Sequence, residues 1–263
     1  MQKYGVVAVT AVLVFLACSM PAYAADGYGW GFKKSDDHNI PDVGKYQQML
    51  DDYGAYYADH SGEKTVYLTF DNGYEEGYTD DILDVLGKHQ VPAAFFVTGH
   101  YVQDKPELVK RMADEGHIIG NHSYHHPDFT VVSKENMQKE LADLEEEVAD
   151  ITDQKSITYM RPPRGMFNEE TLGWAQELGY TQIFWSLAFV DWKTDKQKGW
   201  KHAYDNIMEQ IHPGAIILLH TVSSDNAKAL DKTITELKEQ GYQFKSLDQL
   251  VIKDHLPEPI YGY

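Results

Sequence analysis

Five short runs in this 263-residue chain carry side chains that could do acid–base or metal chemistry. Thr69-Phe70-Asp71-Asn72-Gly73 ends an apolar run with a carboxylate beside a glycine, a turn former or a placed base. His122-Ser123-Tyr124-His125-His126 sets two imidazoles four residues apart. One helical turn would put both on one face, within reach of one cation; otherwise they form a solvated cluster. Arg161-Pro162-Pro163-Arg164-Gly165 is a proline-stiffened loop with an arginine held on each side. Asp191-Trp192 follows at a distance, and Leu218-Leu219-His220 closes an apolar run with a histidine that is either packed or catalytic.

The elements that must position these runs read as an alternation. Apolar or β-branched strands are predicted at Thr65–Phe70, Ala93–Val97, Ile118–Asn121, Ile157–Arg161, Thr181–Trp185, Ala215–His220 and Tyr242–Phe244. Helices are predicted at Val43–Tyr57, Asp80–His89, Glu107–Glu115, Lys134–Ile151, Glu169–Leu178, Ala203–Ile211 and Ala227–Gln240. Such alternation implies an α/β fold with about seven parallel strands, open or closed into a barrel. Ligands in these folds sit at the carboxyl ends of the strands, and all five runs fall on that one rim.

The ordered set resembles the polysaccharide deacetylase (NodB homology) domain of carbohydrate esterase family 4, over roughly residues 64 to 250. The five runs stand for the family's five motifs. The resemblance implies a distorted (β/α) barrel that removes N-acetyl groups from polymeric amino sugars, mostly with a divalent metal on Asp-His-His. It makes Asp71 the general base and His220 the general acid. Arg161 would orient Asp71, and Asp191 would pair with His220. His122 and His126 would hold the metal, zinc or another transition metal, with Asn72 where the third ligand usually stands. Trp192 and Leu218 would line the acetyl pocket, and Tyr124 and Arg164 would contact substrate. Three departures stand out. Asn72 replaces an aspartate, so the metal should be weakly bound or absent. Arg164 replaces an aromatic, and Ala188 replaces an upstream aspartate. The first two resemble the sporulation branch, which acts on N-acetylmuramic acid of spore-cortex peptidoglycan on the way to muramic delta-lactam.

Composition limits the alternatives. The chain is 43% hydrophobic and 24% charged, with enough apolar surface for a sizeable core. Its formal net charge of −18 argues against nucleic acid as a partner. Lys3, the apolar run Gly5 to Ala17 and Ala22-Tyr23-Ala24 read as a signal peptide over 1–24, so export is expected, with no membrane span in the mature chain. A retained anchor, or lipidation at Cys18, is the competing reading. The expected order is then an N-terminal extension (25–63) docked by Trp30 and Phe32, the deacetylase domain (64–250) and a tail (251–263). The leading function is a secreted peptidoglycan deacetylase acting on muramic acid in strands freed of stem peptides. The alternatives are an N-acetylglucosamine, chitin or xylan deacetylase, and a catalytically silent glycan-binding module, which Asn72 favours.

Overall fold

The computed structural model describes residues 27–34 and 37–255. The expected signal peptide, Cys18, the cleavage site and most of the C-terminal tail lie outside the described residues. Among the described residues, no helix is long and apolar enough to cross a membrane. In chain order the elements are β1 (Tyr28–Gly29), α1 (Tyr46–Asp52), β2 (Thr65–Asn72), α2 (Thr79–His89), β3 (Ala93–Val97), α3 (Gly99–Asp104) and α4 (Pro106–Asp114). Then follow β4 (Ile118–Asn121), α5 (Lys134–Ile151), β5 (Tyr159–Met160), β6 (Met166–Phe167), α6 (Glu169–Glu177) and β7 (Thr181–Gln182). The chain continues through α7 (Trp200–Gln210), β8 (Ala215–His220), α8 (Ser224–Glu239), β9 (Gln243–Phe244) and α9 (Leu247–His255).

Seven strands form one parallel sheet in the order β7-β5-β4-β3-β2-β8, with β9 paired to the start of β2. The sheet curls. Leu187, beyond edge strand β7, bridges to Ile217 of the opposite edge strand β8. The distorted barrel is therefore present. Strand alternation sorts the side chains. Val66, Leu68 and Phe70 of β2 pack into the layer under the helices, whereas Tyr67 joins Phe96 and Ile216 inside the curl. Burying one such aromatic stabilises the fold by about 1.5–3 kcal/mol. Asp71, two residues past Thr69 on the Tyr67 face, continues the inward-facing set towards the carboxyl rim.

Three expectations need correction. A tail beginning at 251 would cut α9 in the middle: Leu247 and Leu250 are buried in the interior cluster, and Asp248 accepts the Tyr159 hydroxyl at 2.7 Å. That helix plugs the amino end of the barrel, so it belongs to the body. The first helix is Tyr46–Asp52, shorter than Val43–Tyr57, because the chain leaves it to pair Tyr56 with Ile183 and Ala58 with Ala215. The helical turn expected over residues 122–126 is a loop: Ser123 (φ 65°) and His126 (φ 59°) are left-handed. Asn121 Oδ1 accepts the Ser123 N–H and Ser123 Oγ accepts the His126 N–H, so side chains take up the donors a helix would have used.

Candidate active site

Asp71 leaves the end of β2 beside a fully buried cation. Nη1 of Arg161 donates to Asp71 Oδ1 at 2.7 Å. Its Nε donates to the Ile183 carbonyl (2.9 Å), and its Nη2 donates to Thr69 Oγ1 (2.9 Å) and the Phe184 carbonyl (3.3 Å). The Phe96 ring lies 4.3 Å beneath the guanidinium. A buried charge survives only with such pairing. Burial pushes the Asp71 carboxyl up, but Arg161, with His122 and His220, more than offsets it, and the carboxyl falls below its ordinary range. Asp71 is thus a carboxylate at neutral pH.

His122 and His126 meet at this carboxylate although no helix carries them. His122 Nδ1–H donates to the Arg161 carbonyl at 2.9 Å, which leaves its Nε2 as a lone pair. That atom lies 3.2 Å from His126 Nε2 and 3.5 Å from Asp71 Oδ2. Burial lowers both imidazoles, His126 to about 4, so both are neutral near pH 7. A lone pair facing a carboxylate oxygen is an arrangement that a cation relieves, so the two histidines fit a divalent ion. Asn72 follows Asp71 at the end of β2. It is fully buried, donates Nδ2–H to Thr221 Oγ1 at 2.8 Å, and its Oδ1 is an unpartnered acceptor. Among the described residues, no group of three His, Asp or Glu side chains is arranged to hold a metal.

His220 closes β8 and is held twice by Asp191. Its backbone N–H donates to Asp191 Oδ2 and its Nδ1–H to Oδ1, both at 2.8 Å. Asn226, in the first turn of α8, donates to the same Oδ2 at 2.6 Å. Burial would push the imidazole down; the adjacent Asp191 carboxylate reverses that, and the His220 pKa is raised.

A cavity of about 800 Å³ joins these groups. Asp71, His122, His126 and His220 form its reactive side; Tyr124, Arg164, Trp192 and Leu218 line it around them. Arg161 and Asp191 stand behind the wall, each touching a lining residue. Trp185 and Gln103 also line the cavity, and neither carries a signal in the sequence. Thr69 stands out in the sequence only as part of its run, and Asn226 does not stand out. Nothing local marks them, because each acts through a partner more than 30 residues away.

A curled parallel sheet with this rim defines a carbohydrate deacetylase. The polysaccharide deacetylase profile matches residues 58–183, and the chain belongs to that family, carbohydrate esterase family 4. Among individual relatives, it is 54% identical over 244 residues to the peptidoglycan-N-acetylmuramic acid deacetylase PdaA of Bacillus subtilis, covering 92% of this chain and 93% of the relative. The solved structure of Bacillus subtilis PdaA superposes with a TM-score of 0.85 at 56% identity, covering 87% of this chain and 98% of that one. A family 4 carbohydrate esterase from Bacillus anthracis follows at a TM-score of 0.74 and 48% identity, covering 89% of this chain and 99% of that one. Enzymes of this family generally use a divalent metal, in keeping with the paired imidazoles.

Proposed function

We propose that this protein is an exported hydrolase that removes the N-acetyl group from N-acetylmuramic acid residues of peptidoglycan, after stem peptides are stripped and before muramic delta-lactam forms in spore cortex. One observation carries the chemistry. Asp71 and His220 are register partners on neighbouring strands, one carboxyl pushed down and one imidazole pushed up. Groups driven apart in this way divide into base and acid. The near full-length likeness to PdaA supports the choice of sugar.

In this reading Asp71 takes a proton from the water that attacks the acetyl carbonyl. A C–O bond forms, the carbonyl oxygen becomes an oxyanion, and the C–N bond then breaks. His220 gives its Nε2 proton to the departing nitrogen, so the products are acetate and a free amine. Arg161 keeps Asp71 ionised and fixes its Oδ1. Asp191 fixes the His220 tautomer, so the proton is carried on the cavity side. Leu218 and Trp192 receive the acetyl methyl. When bound, a divalent metal on His122 and His126 would supply charge stabilisation at the acetyl oxygen, with Asn72 too weak a ligand to hold it tightly.

Arg164 would select the sugar. Muramic acid differs from glucosamine by a lactyl ether, which ends in a carboxylate once the stem peptide is gone. Arg164 is exposed at the cavity rim and makes no hydrogen bond or ion pair with any described residue, so its donors are available. A guanidinium takes a carboxylate through two parallel hydrogen bonds. The reading is tested by acetate release from peptidoglycan, with and without stem peptides, in chelator and in added metal. Release from stripped strands is expected; binding of strands without release would mark a silent glycan-binding module.

A further inference from the structure

We propose that Trp30, in the N-terminal extension, is a positioning residue for substrate recognition: it clamps the loop that presents Arg164. The inference rests on the reading of Arg164 given above. Arg164 has a left-handed backbone (φ 59°, ψ 8°), which a non-glycine residue keeps only where its surroundings impose it. Gly165 follows, also left-handed at φ 65°. The restraints come from the extension. The Trp30 backbone N–H donates to the Gly165 carbonyl at 2.8 Å. β1, just before Trp30, pairs antiparallel with β6, just after Gly165, placing Tyr28 opposite Phe167 and Gly29 opposite Met166.

The side chain of the same residue holds the adjoining wall. Trp30 Nε1–H donates to the Trp185 carbonyl at 2.9 Å, and the two rings meet edge to face. Trp185 lines the cavity beside Arg164 and Gly165. The packing is close: a Cβ at Gly165 would stand 2.8 Å from the Trp185 ring and 3.1 Å from Trp30 Cβ. Trp30 itself is seated on Phe184, with ring centroids 4.8 Å apart. Trp30 therefore ties the turn carrying Arg164, held by its backbone, to the strand-end segment carrying Trp185, held by its indole. Asp71 and His220 ride on β2 and β8 and are held by other partners, so loosening this clamp should disturb binding and spare the chemical step.

The test is a double-mutant cycle on kcat and KM for peptide-stripped muramic strands, using wild type, Trp30→Phe, Arg164→Ala and the double variant. Trp30→Phe keeps an aromatic ring and removes the Nε1–H donor. Losing one such hydrogen bond should raise KM roughly two- to tenfold with kcat nearly unchanged. In the Arg164→Ala background the same change should have no further effect. Gly165→Ala, which keeps both indoles and sets a Cβ between them, should also raise KM and carries the test should Trp30→Phe fail to fold. A Trp30→Phe penalty that persists in full without Arg164, or no penalty in either variant while Arg164→Ala is impaired, overturns the clamp alone. An unimpaired Arg164→Ala overturns the reading of Arg164, and the clamp with it.

Discussion

Asp71 and His220 face each other as register partners on neighbouring parallel strands, yet their protonation is driven in opposite directions. Each owes its state to one buried partner: Arg161 Nη1 at 2.7 Å for the acid, Asp191 Oδ1 at 2.8 Å for the imidazole. The carboxyl is therefore held towards its ionised form and the imidazole towards its protonated form, the division of states that water-driven amide hydrolysis requires.

The first prediction follows from that pair. Asp71→Asn and His220→Ala should each lower kcat by about 10²–10⁴-fold, the usual loss on removing a general acid or base. Far-UV circular dichroism should show both variants folded. Near-normal acetate release from either folded variant would remove it from the chemistry.

The pH profile provides a second check. His220 acts as an acid when protonated, so activity falls as pH rises through its raised pKa. In Asp191→Asn the carboxylate that raises it is gone while burial remains. The alkaline limb of kcat/KM should then move to lower pH, with activity at neutral pH reduced at least roughly tenfold. Asp71 sets the opposite limb: its lowered pKa keeps activity present until pH falls below the ordinary carboxylate range. Arg161→Met should bring that acid limb up. An unmoved alkaline limb in Asp191→Asn would show that Asp191 does not govern His220.

Asn72 marks a third expectation, for the metal. Its Oδ1 is buried and unpartnered, so an aspartate there would bury a charge with little to hold it. Asn72→Asp should lower the melting temperature in chelator and regain it when metal is added. Calorimetric titration should show metal affinity at least about tenfold tighter than wild type, the scale of change that follows even from altering an outer partner of a metal ligand. Equal affinity in the two proteins would contradict a ligand role for position 72.

Much of this was legible in the linear chain, for a physical reason. β3, β4 and β8 begin and end where the sequence predicts, because each is a short, buried, mostly apolar run. Chemistry-bearing residues stand directly after such runs, so Asp71, His122 and His220 announce themselves. β5 and β7 are shorter than predicted: the ladder covers only Tyr159–Met160 and Thr181–Gln182, and the residues beyond turn into the site. The α3 helix escaped notice because it has six residues and opens with Gly99, under the Tyr124 ring. Asn226 reads as an ordinary residue behind the Ser223 cap, and only the fold brings it to Asp191. The four-residue His122–His126 spacing suggested the right convergence through the wrong geometry.

Arg164 gives the fourth prediction. Wild type should prefer peptide-stripped muramic residues over N-acetylglucosamine in the same strand. Arg164→Ala and Arg164→Lys should both lose that preference by at least about tenfold in kcat/KM, since a hydrogen bond to a charged group contributes roughly 1.5–3 kcal/mol. Lysine should not rescue, because it cannot form the paired contact. Discrimination left intact in Arg164→Ala would place the carboxylate contact elsewhere on the cavity wall.

The most direct measurement identifies which sugar gains a free amine. Purified protein is incubated with peptide-stripped peptidoglycan, the strands are digested to disaccharides, and each sugar is analysed by mass spectrometry beside an Asp71→Asn control. The account predicts free amines on muramic acid, with acetate released in equal amount and none from the control. Free amines confined to glucosamine, or equal release by Asp71→Asn, would contradict it.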